Sequence, residues 1–120
     1  MLFDIEAVVS ADHAVVVVKG EIDAHTAPRL KERLLELVTD GVDRVVLDLR
    51  HVDFIESVGL GTLVAVRKRL RPSDKSLCLV IGPEQGVIRR TFEITGLDKV
   101  FPIHKDVEAA VQDCLREPAA

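Results

Sequence analysis

The sequence predicts a single α/β domain: a mixed, mostly parallel sheet of four to five strands, about four helices, and an antiparallel hairpin at the N-terminus. Three observations predict it. Short β-branched runs alternate with stretches whose apolar residues recur at helical spacing. The later apolar runs lack in/out alternation, as strands covered by helices do. The chain has 120 residues, 48 % of them apolar, which is one domain's worth with enough apolar mass for a core; with aromatics at 3 % that core must be Val, Leu, Ile and Ala.

The elements follow in order. Phe3 to Val9 reads as a strand, Ala11-Asp12-His13 as a turn, and Ala14 to Val18, followed by Gly20, as the partner strand of a hairpin. Leu30, Leu34, Leu37 and Val38 then mark a helix with Thr26 as N-cap, Pro28 in the first turn and Gly41 at the end. Val45 to Leu49 is the next strand, and a short connection, Arg50 to Glu56, leads to a helix from Ser57 to Arg71 that stops before Pro72. Leu77 to Ile81 is apolar throughout and reads as a central strand; Gly82-Pro83 breaks it, and a helix runs on to Gly96. Val100 to Ile103 is a short strand whose Pro102 favours an edge. The last helix carries Val107, Ala110, Val111, Cys114 and Leu115 on one face. The domain should span residues 1–116, with 117–120 as a frayed tail. Repeated strand-helix-strand units require right-handed crossovers and a largely parallel sheet.

Composition excludes several classes. With 20 acidic and 16 basic residues the net charge is −4, which offers no footprint for nucleic acid or an anionic membrane, and without Trp or Tyr there are few stacking platforms. Met1 to Asp4 has no signal-peptide character, and the longest uncharged run, Ser57 to Val66, is far short of the ~18 residues a spanning helix needs. A soluble cytoplasmic protein is expected. Cys78 and Cys114 form no CxxC pair; they read as two free buried thiols, with a disulfide between them left open. Arg67, Lys68, Arg69 and Arg71 read as cations that complement a helix C-terminus.

The informative segment is Val46 to Gly61. Ser57 follows a strand and opens a helix, where a serine is a preferred N-cap. Gly59 and Gly61 fall in the first turn and a half, each at a cost of ~1 kcal/mol against Ala. Something must approach this helix end closely, either a sheet residue or another protein. A nucleophile elbow would need Gly two residues before the serine, where this chain has Ile55, and His13, His25, His51 and His104 fall in turns or at strand ends. A dinucleotide fingerprint would need a third glycine where Val64 stands, and there is no phosphate-binding GxxxxGK[ST] loop. No catalysis, cofactor or metal is expected.

Phe54-Ile55-Glu56-Ser57-Val58-Gly59-Leu60-Gly61 resembles the F-[ML]-D-S-[ST]-G-[LI]-G signature of the bacterial anti-sigma factor antagonists (anti-anti-sigma factors), members of the STAS domain superfamily. Gly20-Glu21-Ile22-Asp23 before Thr26-Ala27, and Phe92 to Phe101 with its Thr95-Gly96-Leu97 turn, resemble two further blocks in the same order. Glu56 replaces the usual Asp and Val58 the usual Ser or Thr. The resemblance implies a STAS-type fold and partner switching in the control of transcription. The unmodified protein would bind an anti-sigma factor that is a serine kinase, itself carrying ATP and Mg²⁺, and so free a sigma factor. Phosphorylation at Ser57 would end binding, and a phosphatase would reset it. Asp23, Glu56, Ser57, Val58, Gly59 and Gly61 are the partner-binding candidates, in a monomer or weak dimer. The alternative is a STAS scaffold or transporter-associated subunit without a phosphoswitch.

Overall fold

The computed structural model describes residues 3–73 and 75–116. The strands β1 (Phe3–Val9), β2 (Ala14–Ile22), β3 (Arg44–Ile55), β4 (Ser76–Val80) and β5 (Ile103–His104) form one sheet in chain order. β1 is antiparallel to β2, and all other pairs are parallel. The helices are α1 (Ala27–Thr39), α2 (Ser57–Leu70), α3 (Gly86–Thr95) and α4 (Val107–Arg116). The expected frayed tail, 117–120, lies outside the described residues.

The strand order advances in one direction from β2 to β5, so right-handed crossovers place α1, α2 and α3 on the same face. There Leu30 and Leu34 of α1, Leu63 and Val66 of α2, and Ile88 and Phe92 of α3 join the sheet residues Val16, Val45, Leu47 and Leu79 in the main core. α4 follows the last strand and crosses the other face, where Ala110 and Cys114 pack with Val46, Cys78 and Val80. β1 is covered on one face only. Ile5 and Ala7 lean on the core while Asp4, Glu6 and Val8 face outward. β4 is paired on both sides, as its unbroken apolar run requires.

Two strands are longer than the sequence pattern predicts. β2 continues past Gly20 to Ile22, and β3 runs on to Ile55 instead of ending near Leu49. The cause is two bulges that each place an extra residue in β3: Val17 pairs Asp48 but Lys19 pairs His51, and Gly20 pairs Val52 but Glu21 pairs Phe54. Core-facing residues of β3 therefore fall at Val45, Leu47, Leu49, then Val52 and Ile55. The spacing of two becomes three, and the segment after Leu49 looks like a connection. His51 accordingly lies inside a strand rather than in a turn. Asp48, 1 % exposed, is satisfied at the first bulge: its carboxylate accepts from the Arg50 amide at 3.0 Å, Nε at 3.0 Å and Nη2 at 2.9 Å.

Smaller differences have local causes. α2 ends at Leu70, and Pro72 enters a 3-10 turn, Arg71–Ser73. β5 begins only after Pro102, because Leu97–Lys99 tightens into a 3-10 turn behind Gly96, whose φ of 77° ends α3 in the left-handed region. β5 is the edge strand that Pro102 suggested.

Candidate functional site

β2 and β3 run parallel with Ile22 opposite Ile55, and the Glu56 amide donates to the Ile22 carbonyl at 2.9 Å. Asp23, the residue after Ile22, and Ser57, the residue after Glu56, therefore leave the same rim of the sheet. β4 stops opposite Asp48, so the last part of β3 has β2 on one side and, among the described residues, no strand on the other. Gln85, the residue before α3, fills that gap. Its Nε2 donates to the Leu49 carbonyl at 2.8 Å and to the Val52 carbonyl at 3.1 Å, while its Oε1 accepts from the Gly82 amide at 2.7 Å. One side chain thus ties the loop after β4 to the arm that carries Ser57.

The start of α2 differs from expectation. Glu56 is the N-cap, with extended backbone (φ −85°, ψ 165°), and its carbonyl accepts from the Gly59 amide at 2.9 Å and the Leu60 amide at 3.2 Å. Ser57 is the first helical residue and does not cap: α2 has no side-chain cap bond. The extended conformation that β3 imposes through Ile55 moves the cap back by one residue. Ser57 is exposed, with Glu56, Val58 and Gly61 exposed beside it. The Ser57 and Val58 amides precede the first N–H used inside the helix, so this end presents free donors and the positive pole of the helix dipole.

The two glycines separate. A Cβ on Gly59 would stand 2.6 Å from Ile22 Cγ2 and 3.0 Å from Ile55 Cγ1, whereas one on Gly61 would meet nothing within 4 Å. Of the two causes open in the sequence, a sheet residue is the one found at Gly59. It lets α2 lie close on the β2–β3 rim. Gly61 has no such cause.

Asp23 is buried, 7 % exposed, and works as the cap of α1. Its Oδ1 accepts from the His25 amide at 2.9 Å and the Thr26 amide at 3.0 Å, and its carbonyl accepts from Ala27 at 2.9 Å. Thr26 occupies the formal cap position, but its hydroxyl caps nothing there: it accepts from the Asp23 amide at 2.8 Å and donates to the Glu21 carbonyl at 2.8 Å. Burial pushes the Asp23 carboxyl up, but the Thr26 and His25 amides and the Thr26 hydroxyl together outweigh it and hold the pKa below its ordinary value. Ala24 and His25, in the turn it holds, are exposed.

Two residues of this rim, Phe54 and Gln85, are not among the candidates drawn from the sequence. Phe54, 47 % exposed, lies on the Ser57 arm with the candidate Val58, 44 % exposed. An aromatic in a chain with only four Phe was the available signal. Gln85 gave none, because its role depends on β3 outrunning β4. Arg67, Lys68 and Arg69 sit in the last turn of α2, where the dipole favours them. No helix among the described residues is long and apolar enough to cross a membrane.

A five-stranded mixed sheet with three helices on one face, one on the other, and a serine-led helix at the β2–β3 rim defines a class. The STAS domain profile matches residues 4–110, and the chain belongs to that family, on its anti-sigma factor antagonist branch. It is 34 % identical over 108 residues to the anti-sigma-B factor antagonist of Staphylococcus epidermidis, covering 90 % of this chain and 98 % of that one. It is also similar to the crystal structure of an anti-sigma factor antagonist from Mycobacterium paratuberculosis, with a TM-score of 0.85, 32 % identity and 95 % of each chain covered. A fold likeness extends to the Bacillus cell fate determinant SpoIIAA in its phosphorylated form, with a TM-score of 0.70 at 20 % identity over 96 % of this chain and 100 % of that one.

Proposed function

We propose that the chain is a phosphorylation-controlled anti-sigma factor antagonist. Its unmodified form binds an anti-sigma factor that is also a serine kinase, with ATP and Mg²⁺ held by that partner, and the sigma factor is released. Phosphorylation of Ser57 ends the complex and a phosphatase restores it. Such chemistry places the switch in the cytoplasm. The observation that carries this reading is the position of Ser57: exposed, first in its helix, without a capping duty, and on the rim shared with the Asp23 turn. The relatives more than 30 % identical, named as anti-sigma factor antagonists, support the antagonist part of this reading.

The physical chemistry suits a switch. A phosphoserine carries about −1.5 to −2 charges at neutral pH. The free amides and dipole at the start of α2 accommodate that charge, so the fold tolerates it. The partner bears the penalty. Bulk and a dianion at the centre of a close contact made by Phe54, Glu56, Val58 and Gly61 would cost ~3–4 kcal/mol, a loss of affinity of a few hundredfold. Gly59 acts from below, by seating α2. Asp23 acts by holding the Ala24-His25 turn beside Ser57 and not by offering a free carboxylate. The chain itself works as a binding module.

The test is phosphorylation by the anti-sigma serine kinases of the same genome with ATP and Mg²⁺, read by intact mass and peptide mapping. One phosphate on Ser57, and none on Ser57→Ala, is the expected result. Modification at Thr62 or Ser76 instead would overturn the assignment.

A further inference from the structure

Cys78 and Cys114 lie away from the Ser57 rim, on the face of the sheet that α4 covers. Cys78 is in β4 and Cys114 in the last turn of α4; each is 4 % exposed, and their Sγ atoms are 2.9 Å apart although 36 positions separate them in sequence. Neither is in a disulfide. Ser76 Oγ lies 3.5 Å from Cys114 Sγ, and Arg44 Nε donates to the Cys114 carbonyl at 2.9 Å. A disulfide bond is about 2.05 Å long, so bonding requires the two sulfurs to close by less than about 1 Å, well within side-chain motion.

We propose that Cys78 and Cys114 are a redox site: a peroxide converts them to an intramolecular disulfide that staples α4 to β4. The proposal goes beyond the Ser57 switch and does not depend on it. The pair is prepared for this chemistry. The Cys78 S–H, against the opposing effect of burial, then Ser76 and the Arg44 charge, hold the Cys114 thiol below its ordinary pKa and make it the nucleophile. The Cys114 thiolate attacks one peroxide oxygen; the O–O bond breaks, and the departing hydroxide takes a proton to become water. Cys114 is then a sulfenic acid. The Cys78 sulfur attacks that sulfur, the S–O bond breaks, the hydroxyl leaves as a second water with the Cys78 proton, and the S–S bond forms. Two thiols are oxidised and one peroxide is reduced. The near-complete burial makes the step wait on opening of the α4 C-terminal turn, so oxidation is slow and selective.

What the staple changes is α4. This ten-residue helix would not persist alone, and among the described residues it is the one helix on its face of the sheet, held there by a small cluster of side chains. A link to β4 removes its independent opening.

The experiment treats the reduced, native protein with hydrogen peroxide, then denatures it in the presence of an alkylating agent. Expected are a mass lower by two hydrogens, no alkylation, and a peptide joining Cys78 to Cys114, all reversed by dithiothreitol. Amide exchange in α4 should slow on the order of tenfold, with exchange at the start of α2 unchanged, and Tm should rise by about 10 °C. Cys78→Ser should show none of these gains with peroxide. Full alkylation of both cysteines after peroxide, over-oxidation of Cys114 with Cys78 left free, or a link between two chains would each overturn the proposal.

Discussion

The Glu56 amide donates to the Ile22 carbonyl at 2.9 Å, and from that bond Asp23 and Ser57 depart side by side. Blocks of sequence more than thirty residues apart become one surface because β2 and β3 are parallel and, across two bulges, stay paired to their last residues.

Gly59→Ala and Gly61→Ala should have opposite effects on folding. The Gly59 methyl meets the buried Ile22 side chain at 2.6 Å, so Ala should destabilise by ~1–3 kcal/mol. At Gly61 there is open space, and Ala should stabilise α2 by up to ~1 kcal/mol. Urea denaturation of both variants checks this. If Gly61 serves partner approach, its Ala variant should also bind the anti-sigma factor more weakly despite the firmer fold.

Ser57→Ala should leave stability within about 0.5 kcal/mol, because the hydroxyl caps nothing. Ser57→Asp should be neutral or slightly stabilising at the positive helix end. Binding should rank the other way: Ala binds the anti-sigma kinase and cannot be switched off, while Asp binds on the order of tenfold or more weakly, about 1.4 kcal/mol per decade. Thermal melts and calorimetric titration decide the matter, and wild-type affinity in a folded Asp variant would remove charge as the mechanism.

Gln85→Ala should loosen the arm that carries Ser57. It strips the Leu49 and Val52 carbonyls of their donor, at a cost of ~1–3 kcal/mol. Hydrogen exchange should rise in residues 49–55 more than in β4. Gln85→Glu keeps the size and loses both donors, so it should behave like Ala or worse.

Arg50→Ala should leave the Asp48 carboxylate buried with only the backbone amide of residue 50 to satisfy it. Breaking a fully buried pair costs ~3–5 kcal/mol; Arg50 is 37 % exposed, so water reaches the site and roughly 2 kcal/mol is expected. Asp48→Asn in the same background should recover part of the loss, since the uncharged amide is easier to bury.

Acid should unfold the Asp23 turn first through its carboxyl. The folded-state pKa lies below the unfolded one, so the stabilisation is complete above the unfolded value and disappears as pH falls through the folded value. As pH falls below about 4 the wild type should therefore lose more stability than Asp23→Asn, with the two curves converging at the acid end. Denaturation midpoints across that range test the sign.

Local chemistry was legible in the chain itself. The β-branched run Ala14 to Val18, the helical spacing of Leu30, Leu34 and Leu37, the αL glycine Gly96, and the order of alternating strands and helices are each written in residues close together. So was Ser57 at a helix start, and the motif blocks that resemble one family. Where α2 begins to the residue, why Gly59 is glycine, and where β3 stops were not legible. Those depend on pairing between distant segments: two bulges shift β3 against β2, Glu56 is fixed by Ile22, and Ile22 fills the space above Gly59. The same holds for Gln85 on the Leu49 and Val52 carbonyls and for Cys78 against Cys114. Periodicity reports which face of an element is apolar; it carries no information on register between elements, and at this rim register decides which atoms meet.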